Sequence, residues 1–321
     1  MRLVYYGTPA LAVPALTRLV EEGRAPLLVV TRQDRPRGRG LEVTPSPVRV
    51  AAASLGIPVA TPARAGAPEE IERLEALNPD LLLLAAYGQI LSPELLRVPT
   101  IGALNLHFSL LPRHRGASPI QAAILAGDEE TGVTTMWMTE KLDEGPVFAA
   151  SRIRIGPEED AGSLTVRLSE LGARCLSETL DRIERGEMVR EEQDSSRATY
   201  APKLRREDAR LSLSLDPVAF TRRVRAFAPR PGAHLDLEEG GLLHVLAATP
   251  GAPPSGTPAG RAGSALALDR ERGLLLRLET GSVWLRRVRP AGRREMGGFD
   301  YANGARLSVG SRLPLLPGPS A

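Results

Sequence analysis

The sequence predicts an α/β chain in two parts, a mostly parallel sheet covered by helices and then a small β-barrel. Three observations carry this. The 321 residues exceed one ordinary compact domain and suit two. Through about residue 188, unbroken apolar runs alternate with segments of helical spacing, the texture of a parallel sheet buried on both faces. Beyond about residue 205 the runs become short, β-like and broken by Gly and Pro.

Residues 2–6 form an apolar strand that ends in Gly7-Thr8-Pro9, and Leu11, Val13, Leu16, Leu19 and Val20 follow at helical spacing. Leu27 to Thr31 reads as a second buried strand. Pro58-Val59-Ala60, after a helix-like Pro47–Leu55, is a third, and Leu81 to Ala85 continues the series. Helices are expected near 118–126 and 161–186, with Ser163 capping the second. The polar, irregular stretch 189–204 marks a linker between a domain at 1–188 and one at 205–321. In the latter, Leu242–Ala247, Ala265–Leu268, Leu274–Leu278 and Val283–Leu285 read as strands, 216–227 as a helix and Thr249–Gly263 as an exposed loop.

With 25% charged and 42% hydrophobic residues the composition is that of a soluble globular protein, and no run approaches the roughly 18 apolar residues of a membrane span. The N-terminal segment lacks the features of a secretory signal, so a cytoplasmic protein is expected. The single cysteine, Cys175, excludes an internal disulfide framework and reads as a small buried residue on a helix. The net charge of +3 conceals an asymmetry: residues 201–321 carry 19 Lys+Arg against 11 Asp+Glu, or +8, leaving the first 200 at −5. Such a division suits a polyanion docking on the C-terminal part, and equally an ordinary solvated basic surface.

The chemistry concentrates in Asn105-Leu106-His107-Phe108-Ser109-Leu110-Leu111-Pro112, followed by Arg113-His114-Arg115-Gly116. It lies just past a strand-like run, where open α/β sheets carry their sites. Asn105 and His107 are two apart, so an extended backbone sends both side chains from one face. An amide donor beside an imidazole suits acyl transfer to an amine, which needs an oxyanion held while nitrogen sheds a proton. Asp143, in Lys141-Leu142-Asp143-Glu144-Gly145-Pro146, can orient His107 or order a water, or simply serve the turn. Gly38-Arg39-Gly40 does not complete a dinucleotide fingerprint, there is no phosphate loop, and the four histidines lack zinc-site spacing, so no metal is expected.

Asn105, His107 and Asp143, with Ser109-Leu110-Leu111-Pro112, resemble the 10-formyltetrahydrofolate-dependent formyltransferases and hydrolases. Gly7-Thr8-Pro9, the loop Asp34-Arg35-Pro36-Arg37-Gly38-Arg39-Gly40 running to Pro45-Ser46-Pro47-Val48, the joining Tyr200-Ala201-Pro202-Lys203-Leu204, and Arg225-Ala226-Phe227 resemble the branch acting on methionyl-tRNA. That resemblance implies a Rossmann-like catalytic domain and an OB-like C-terminal barrel. It implies that Asn105 stabilises the formyl oxyanion, His107 assists proton transfer or polarises the formyl group, and Asp143 positions His107 and the folate. It also implies that Tyr87, Gly88, Gln89, Ile90 and Leu91, with Ser109, Leu110, Leu111 and Pro112, hold the folate. Arg35, Arg37, Arg39 and Lys203 would meet the acceptor arm of an initiator methionyl-tRNA, with Arg39 probing its mispaired first base. A monomer is expected. Leu41-Glu42 replaces the two lysines common there, and Glu144-Gly145-Pro146 replaces a commoner Thr-Gly-Asp. The alternatives are another folate-dependent formyltransferase or hydrolase with the same three residues, or a nucleic-acid-binding module that has kept them without catalysis. Roughly 120 residues beyond the first domain weigh against a purine-pathway member, and the intact set weighs against a binding module.

Overall fold

The structure is a computed structural model that describes residues 1–37, 42–238, 240–257 and 260–316. Its contacts separate two compact units: Met1–Pro119 with Glu130–Arg154 and Thr165–Lys203, and Ile120–Glu129 with Ile155–Leu164 and Leu204–Ala321. Among the described residues no helix is long and apolar enough to cross a membrane.

The first unit is built on a seven-stranded sheet. Its strands are β1 (Leu3–Gly7), β2 (Leu28–Val30), β3 (Val59–Ala60), β4 (Leu81–Ala85), β5 (Gly102–His107), β6 (Glu130–Trp137) and β7 (Val147–Arg154). The order is β7-β6-β5-β4-β1-β2-β3, with β3 through β5 parallel and β6 and β7 antiparallel. All five residues of β1 and of β4 are buried, as the apolar runs require for a sheet covered on both faces. Val4, Tyr6, Leu28, Val30, Leu82 and Leu84 form one core with Leu74 of helix α3.

Helix starts follow the local chemistry. In α1 (Val13–Glu21), α2 (Pro47–Ser54) and α3 (Pro68–Leu77) a proline occupies the first turn, where its missing N–H is harmless. Ser46 caps α2 by accepting from the Arg49 N–H at 3.0 Å, and its hydroxyl meets the buried Thr31 hydroxyl at 2.7 Å. The short helix α4 (Pro93–Leu96) is capped likewise by Ser92. The next helices are α5 (Pro119–Ala126) and α6 (Ala161–Glu184). Ser163 does not cap α6. The oxygen that accepts the Ser163 N–H, at 2.8 Å, belongs to Asp160, whose carboxylate also takes the Ser163 hydroxyl at 3.0 Å. A carboxylate at the entry of a helix accepts the free amides and meets the positive end of the dipole, so Asp160 takes the cap position.

The antiparallel pair β6 and β7 had no clear sequence signal. Thr134 and Thr135 are fully buried in β6 because their hydroxyls are satisfied internally, donating to the Ser109 carbonyl at 2.7 Å and pairing with Thr179 at 2.8 Å.

In the second unit β8 (His234–Asp236), β9 (Leu242–Pro250), β10 (Ala265–Asp269), β11 (Gly273–Arg277) and β12 (Ser282–Pro290) form an antiparallel sheet in the order β8-β9-β12-β11-β10. The stretch 311–316 joins its two edges. The Ser311 carbonyl accepts from Ala265 at 2.8 Å and Leu313 donates to Gly263 at 2.9 Å, while the Pro314 carbonyl accepts from Glu238 and Leu316 donates to Asp236, both at 2.9 Å. This segment therefore covers part of each edge of the antiparallel sheet, at Ala265 and at Asp236. Helix α7 (Pro217–Phe227) starts at Asp216, which accepts from the amides of Val218 and Ala219, and it packs on β9.

Candidate active site

Chain order and strand order diverge at β1 and β4. The chain moves from β1 outward through β2 to β3 and then returns to β4 on the other side of β1, the switch point at whose carboxyl strand ends open α/β sheets carry their binding crevice. Gly7-Thr8 ends β1, Ala86 to Leu91 follows β4, and Asn105 and His107 occupy the end of neighbouring β5. The three expected catalytic residues meet here. Asn105 Nδ2 donates to Asp143 Oδ1 at 3.3 Å, and His107 Nδ1 lies 3.7 Å from Asp143 Oδ2. His107 and Asp143 are only 5% and 7% exposed, so the imidazole and the carboxylate meet in a poorly solvated place.

The tautomer follows from the neighbours. His107 Nε2 is 3.0 Å from the His114 carbonyl oxygen, which can only accept, so Nε2 carries a proton. Nδ1 is left to face the carboxylate. Its 3.7 Å separation is longer than a hydrogen bond, and such contacts commonly tighten once substrate is bound.

Asp143 adopts a left-handed backbone, φ 53°. That conformation is tolerated by aspartate but costs about 1 kcal/mol, so neighbours must hold it. Its Oδ2 accepts the Gly116 N–H at 2.8 Å. Gln193 Nε2 donates to the carbonyls of Asp143 at 2.9 Å and Gly145 at 2.7 Å. Gln193 Oε1 accepts from Arg115 Nε at 3.1 Å and from Nη2 at 2.8 Å. The Arg115 guanidinium is itself buried and also faces Glu144 at 3.5 Å. Two glycines admit this packing. A Cβ at Gly145 would lie 1.8 Å from the Trp137 carbonyl oxygen, and one at Gly116 2.6 Å from that of Ala201.

The sequence assigned no role to His114, Arg115, Gly116, Gln193 or Thr199. Thr199 Oγ1 accepts the His114 N–H at 2.8 Å, and Tyr200–Ala201 pairs in parallel with Arg115–Gly116. His114-Arg115-Gly116 stood beside the recognised motif. Gln193 and Thr199 lie in the polar stretch 189–204, where nothing in the residue types distinguishes them from solvated surface.

The residues expected to hold folate divide by exposure. Tyr87 is buried, its ring meets Tyr6 edge-on at 5.2 Å, and its carbonyl accepts from the Thr8 hydroxyl at 2.8 Å. Its phenol oxygen is buried with no hydrogen-bond partner among the described residues. Burial, and then the Glu70 carboxylate, push its ionisation up to about 12 against an opposing pull from Arg32. Gly88 has φ 82°, Gln89 accepts the Ala65 N–H at 3.0 Å, Ile90 is 79% exposed and Leu91 is buried. Ser109 is fully buried and donates to the Arg113 carbonyl at 2.6 Å, so its hydroxyl shapes the loop from inside. Leu111 donates its N–H to Thr134 at 3.2 Å, and Leu110 and Pro112 are half-buried.

Of the expected RNA contacts, Arg35 and Arg37 lie on Arg35–Arg37, which pairs antiparallel with Glu42–Thr44 as a two-stranded ribbon. Asp34 at its base is ion-paired with Arg49 of α2. Arg39 and Leu41 lie outside the described residues. Lys203 is exposed.

Residues 1–180 match the family model described as formyl transferase, and residues 203–306 match that of the formyl transferase C-terminal domain. The chain is 47% identical over 309 residues to the methionyl-tRNA formyltransferase of Halorhodospira halophila, covering 96% of this chain and 98% of that one. It is 41% identical over 313 residues to the enzyme of the same name from Geobacter metallireducens, covering 98% of each. Among solved structures, HypX from Aquifex aeolicus in complex with tetrahydrofolic acid superposes with a TM-score of 0.62 at 19% identity, over 96% of this chain and 48% of that one. An N-formyltransferase from Helicobacter canadensis gives 0.63 at 16% identity, over 88% and 98%. At these identities the two structures speak for the fold alone.

Proposed function

We propose a function from one premise: this chain belongs to the formyltransferase family, on the branch of the methionyl-tRNA formyltransferases. The reaction is transfer of the formyl group of 10-formyltetrahydrofolate to the free amino group of initiator methionyl-tRNA. The observation that carries this is the meeting of Asn105, His107 and Asp143 within 3.7 Å beside the crevice at the end of β4 and β5.

The amine attacks the formyl carbon, the carbonyl electron pair moves onto oxygen, and collapse of the tetrahedral intermediate breaks the bond to N10 of the folate. Over the whole reaction one proton leaves the amine and one reaches N10. Asn105 has two amide hydrogens; with one given to Asp143 at 3.3 Å, the other serves the oxyanion. His107 offers Nδ1 for the proton, since Nε2 is committed to the His114 carbonyl. The Asp143 carboxylate supports the imidazolium that forms. The crevice suits a pterin: Tyr87 supplies a buried phenol without a partner among the described residues, Gly88 lets the backbone approach closely, and exposed Ile90 offers apolar surface to a ring. Arg35, Arg37, Arg39 and Lys203 are proposed contacts to the tRNA, with residues 205–321 as the domain that docks it.

The test is incubation of the protein with 10-formyltetrahydrofolate and charged initiator tRNA, followed by analysis of the released amino acid. Formylmethionine is expected. Free methionine only, together with formylation of an amino sugar or of glycinamide ribonucleotide, would replace this substrate with another.

A further inference from the structure

We propose that Gln193 is a positioning residue for the reaction, acting through the backbone of the Asp143 loop. The inference rests on the reading of Asp143 given above and extends it to a segment that the sequence treats as a connector.

The geometry is specific. A glutamine amide has two hydrogens and one acceptor oxygen, and each is used here: the hydrogens go to the carbonyls of Asp143 and Gly145 at 2.9 and 2.7 Å, and the oxygen accepts twice from Arg115. The first carbonyl belongs to the residue whose left-handed backbone must be maintained for its carboxylate to face both Asn105 and His107. The second belongs to a glycine against which the Trp137 carbonyl is packed too closely for any side chain. Both ends of the loop turn are therefore held by one side chain, and Arg115 is buried against the same amide.

Gln193 is in turn held by its own segment. Glu191 exchanges backbone hydrogen bonds with Val147 at 2.8 and 2.9 Å, the Val189 carbonyl accepts from Trp137 Nε1 at 2.8 Å, and the Arg190 guanidinium lies 4.4 Å from the Trp137 ring centre. Further along, Thr199 accepts the His114 N–H, and His114 supplies the carbonyl that fixes His107. One stretch of chain thus supports both members of the His107–Asp143 pair. Removing the Gln193 amide takes a donor from two carbonyls and leaves the Arg115 guanidinium with Glu144 alone, and it releases the Asp143 backbone. A displacement of about 1 Å at a catalytic group lowers a rate by as much as about 100-fold.

The experiment compares Gln193→Ala, Gln193→Leu and Gln193→Glu with the wild-type protein and with Asp143→Asn, in methionyl-tRNA formylation. Rates are taken per folded molecule, with the folded fraction read from tryptophan fluorescence. The expected result is a kcat lowered about 10- to 100-fold in all three Gln193 variants, KM for both substrates within about threefold, and an altered pH profile of kcat. Gln193→Glu regains the Arg115 contact but repels the two carbonyls, so it stays slow. Rates per folded molecule within twofold of wild type, with the pH profile unchanged, would overturn the proposal, as would loss of the fold in all three variants. A wild-type protein that does not formylate methionyl-tRNA would instead refute the function. An Asp143→Asn variant that stays fast would refute the role given to Asp143.

Discussion

The imidazole of His107 has one nitrogen spent on a carbonyl and one facing a carboxylate, and the first prediction follows from that division. His107→Ala and Asp143→Ala should each lower kcat by about 100- to 10,000-fold, and Asn105→Ala by about 100- to 1,000-fold, with urea midpoints that show a folded protein. Near-normal turnover in any of them removes the role assigned to that residue. Tyr87 supports a prediction of the opposite kind. Its buried phenol has no partner among the described residues, so Tyr87→Phe removes an unsatisfied group and should leave stability unchanged or raise it. If the phenol meets folate, the same variant raises KM for 10-formyltetrahydrofolate. The pH dependence carries the sign. The folded ionisation, near 12, lies above that of an unfolded tyrosine, so stability is independent of this group's titration below about pH 10 and is lost progressively as pH rises toward 12. Burial raises Tyr5 and Tyr6 in the same direction. Stability should fall over that window, and Tyr87→Phe should make the fall shallower. Burial raises Cys175 and Tyr301 as well, so the comparison with Tyr87→Phe isolates the share of Tyr87. Urea midpoints measured from pH 8 to 12 check both statements.

At the scale of elements, the cap of α6 separates two readings of one sequence. Asp160→Ala should destabilise by about 1 kcal/mol, whereas Ser163→Ala should change stability by much less, because the Ser163 amide is the donor and the Asp160 carboxylate the acceptor. Equal effects in urea melts would count against Asp160 as the cap. The parallel strands and their helices were legible because burial on both faces leaves unbroken apolar runs, as in Leu3–Gly7 and Leu81–Ala85. The pair β6 and β7 was not, because Thr131, Thr134 and Thr135 are buried yet polar, and hydropathy does not register a hydroxyl satisfied inside the protein. The same division runs through the site. Asn105, His107 and Asp143 could be named because their chemistry and spacing are distinctive. Gln193 and Thr199 could not, since their function is to hold main-chain groups, and any polar residue in an irregular stretch has the same appearance. Arg115 carries no sequence sign of burial, and only the structure shows its guanidinium buried against Gln193.

At the scale of the whole molecule, charge is divided along the chain, +8 after residue 200 against −5 before it. If 201–321 docks an RNA, binding releases counterions from the phosphates that its arginines neutralise, and affinity falls as salt rises in proportion to the number of such contacts. The folate step does not draw on that term, because counterion release belongs to the phosphate backbone of a nucleic acid. The two substrates should therefore separate under salt. Between about 50 and 200 mM salt, six or more phosphate contacts would weaken tRNA binding about 1,000-fold, whereas KM for 10-formyltetrahydrofolate should move only a few-fold. Neutralising Lys203 should reduce the salt slope by about one contact and leave single-turnover formyl transfer at saturating tRNA unchanged. A KM for tRNA that is flat across this range would mean that the basic C-terminal third is ordinary solvated surface, and recognition would then rest on Arg35, Arg37 and Arg39 alone. A comparison of initiator with elongator methionyl-tRNA, in the wild-type protein and in Arg39→Ala, completes the test. Loss of discrimination in that variant with the salt slope intact would show that the loop selects the tRNA and the C-terminal domain supplies affinity.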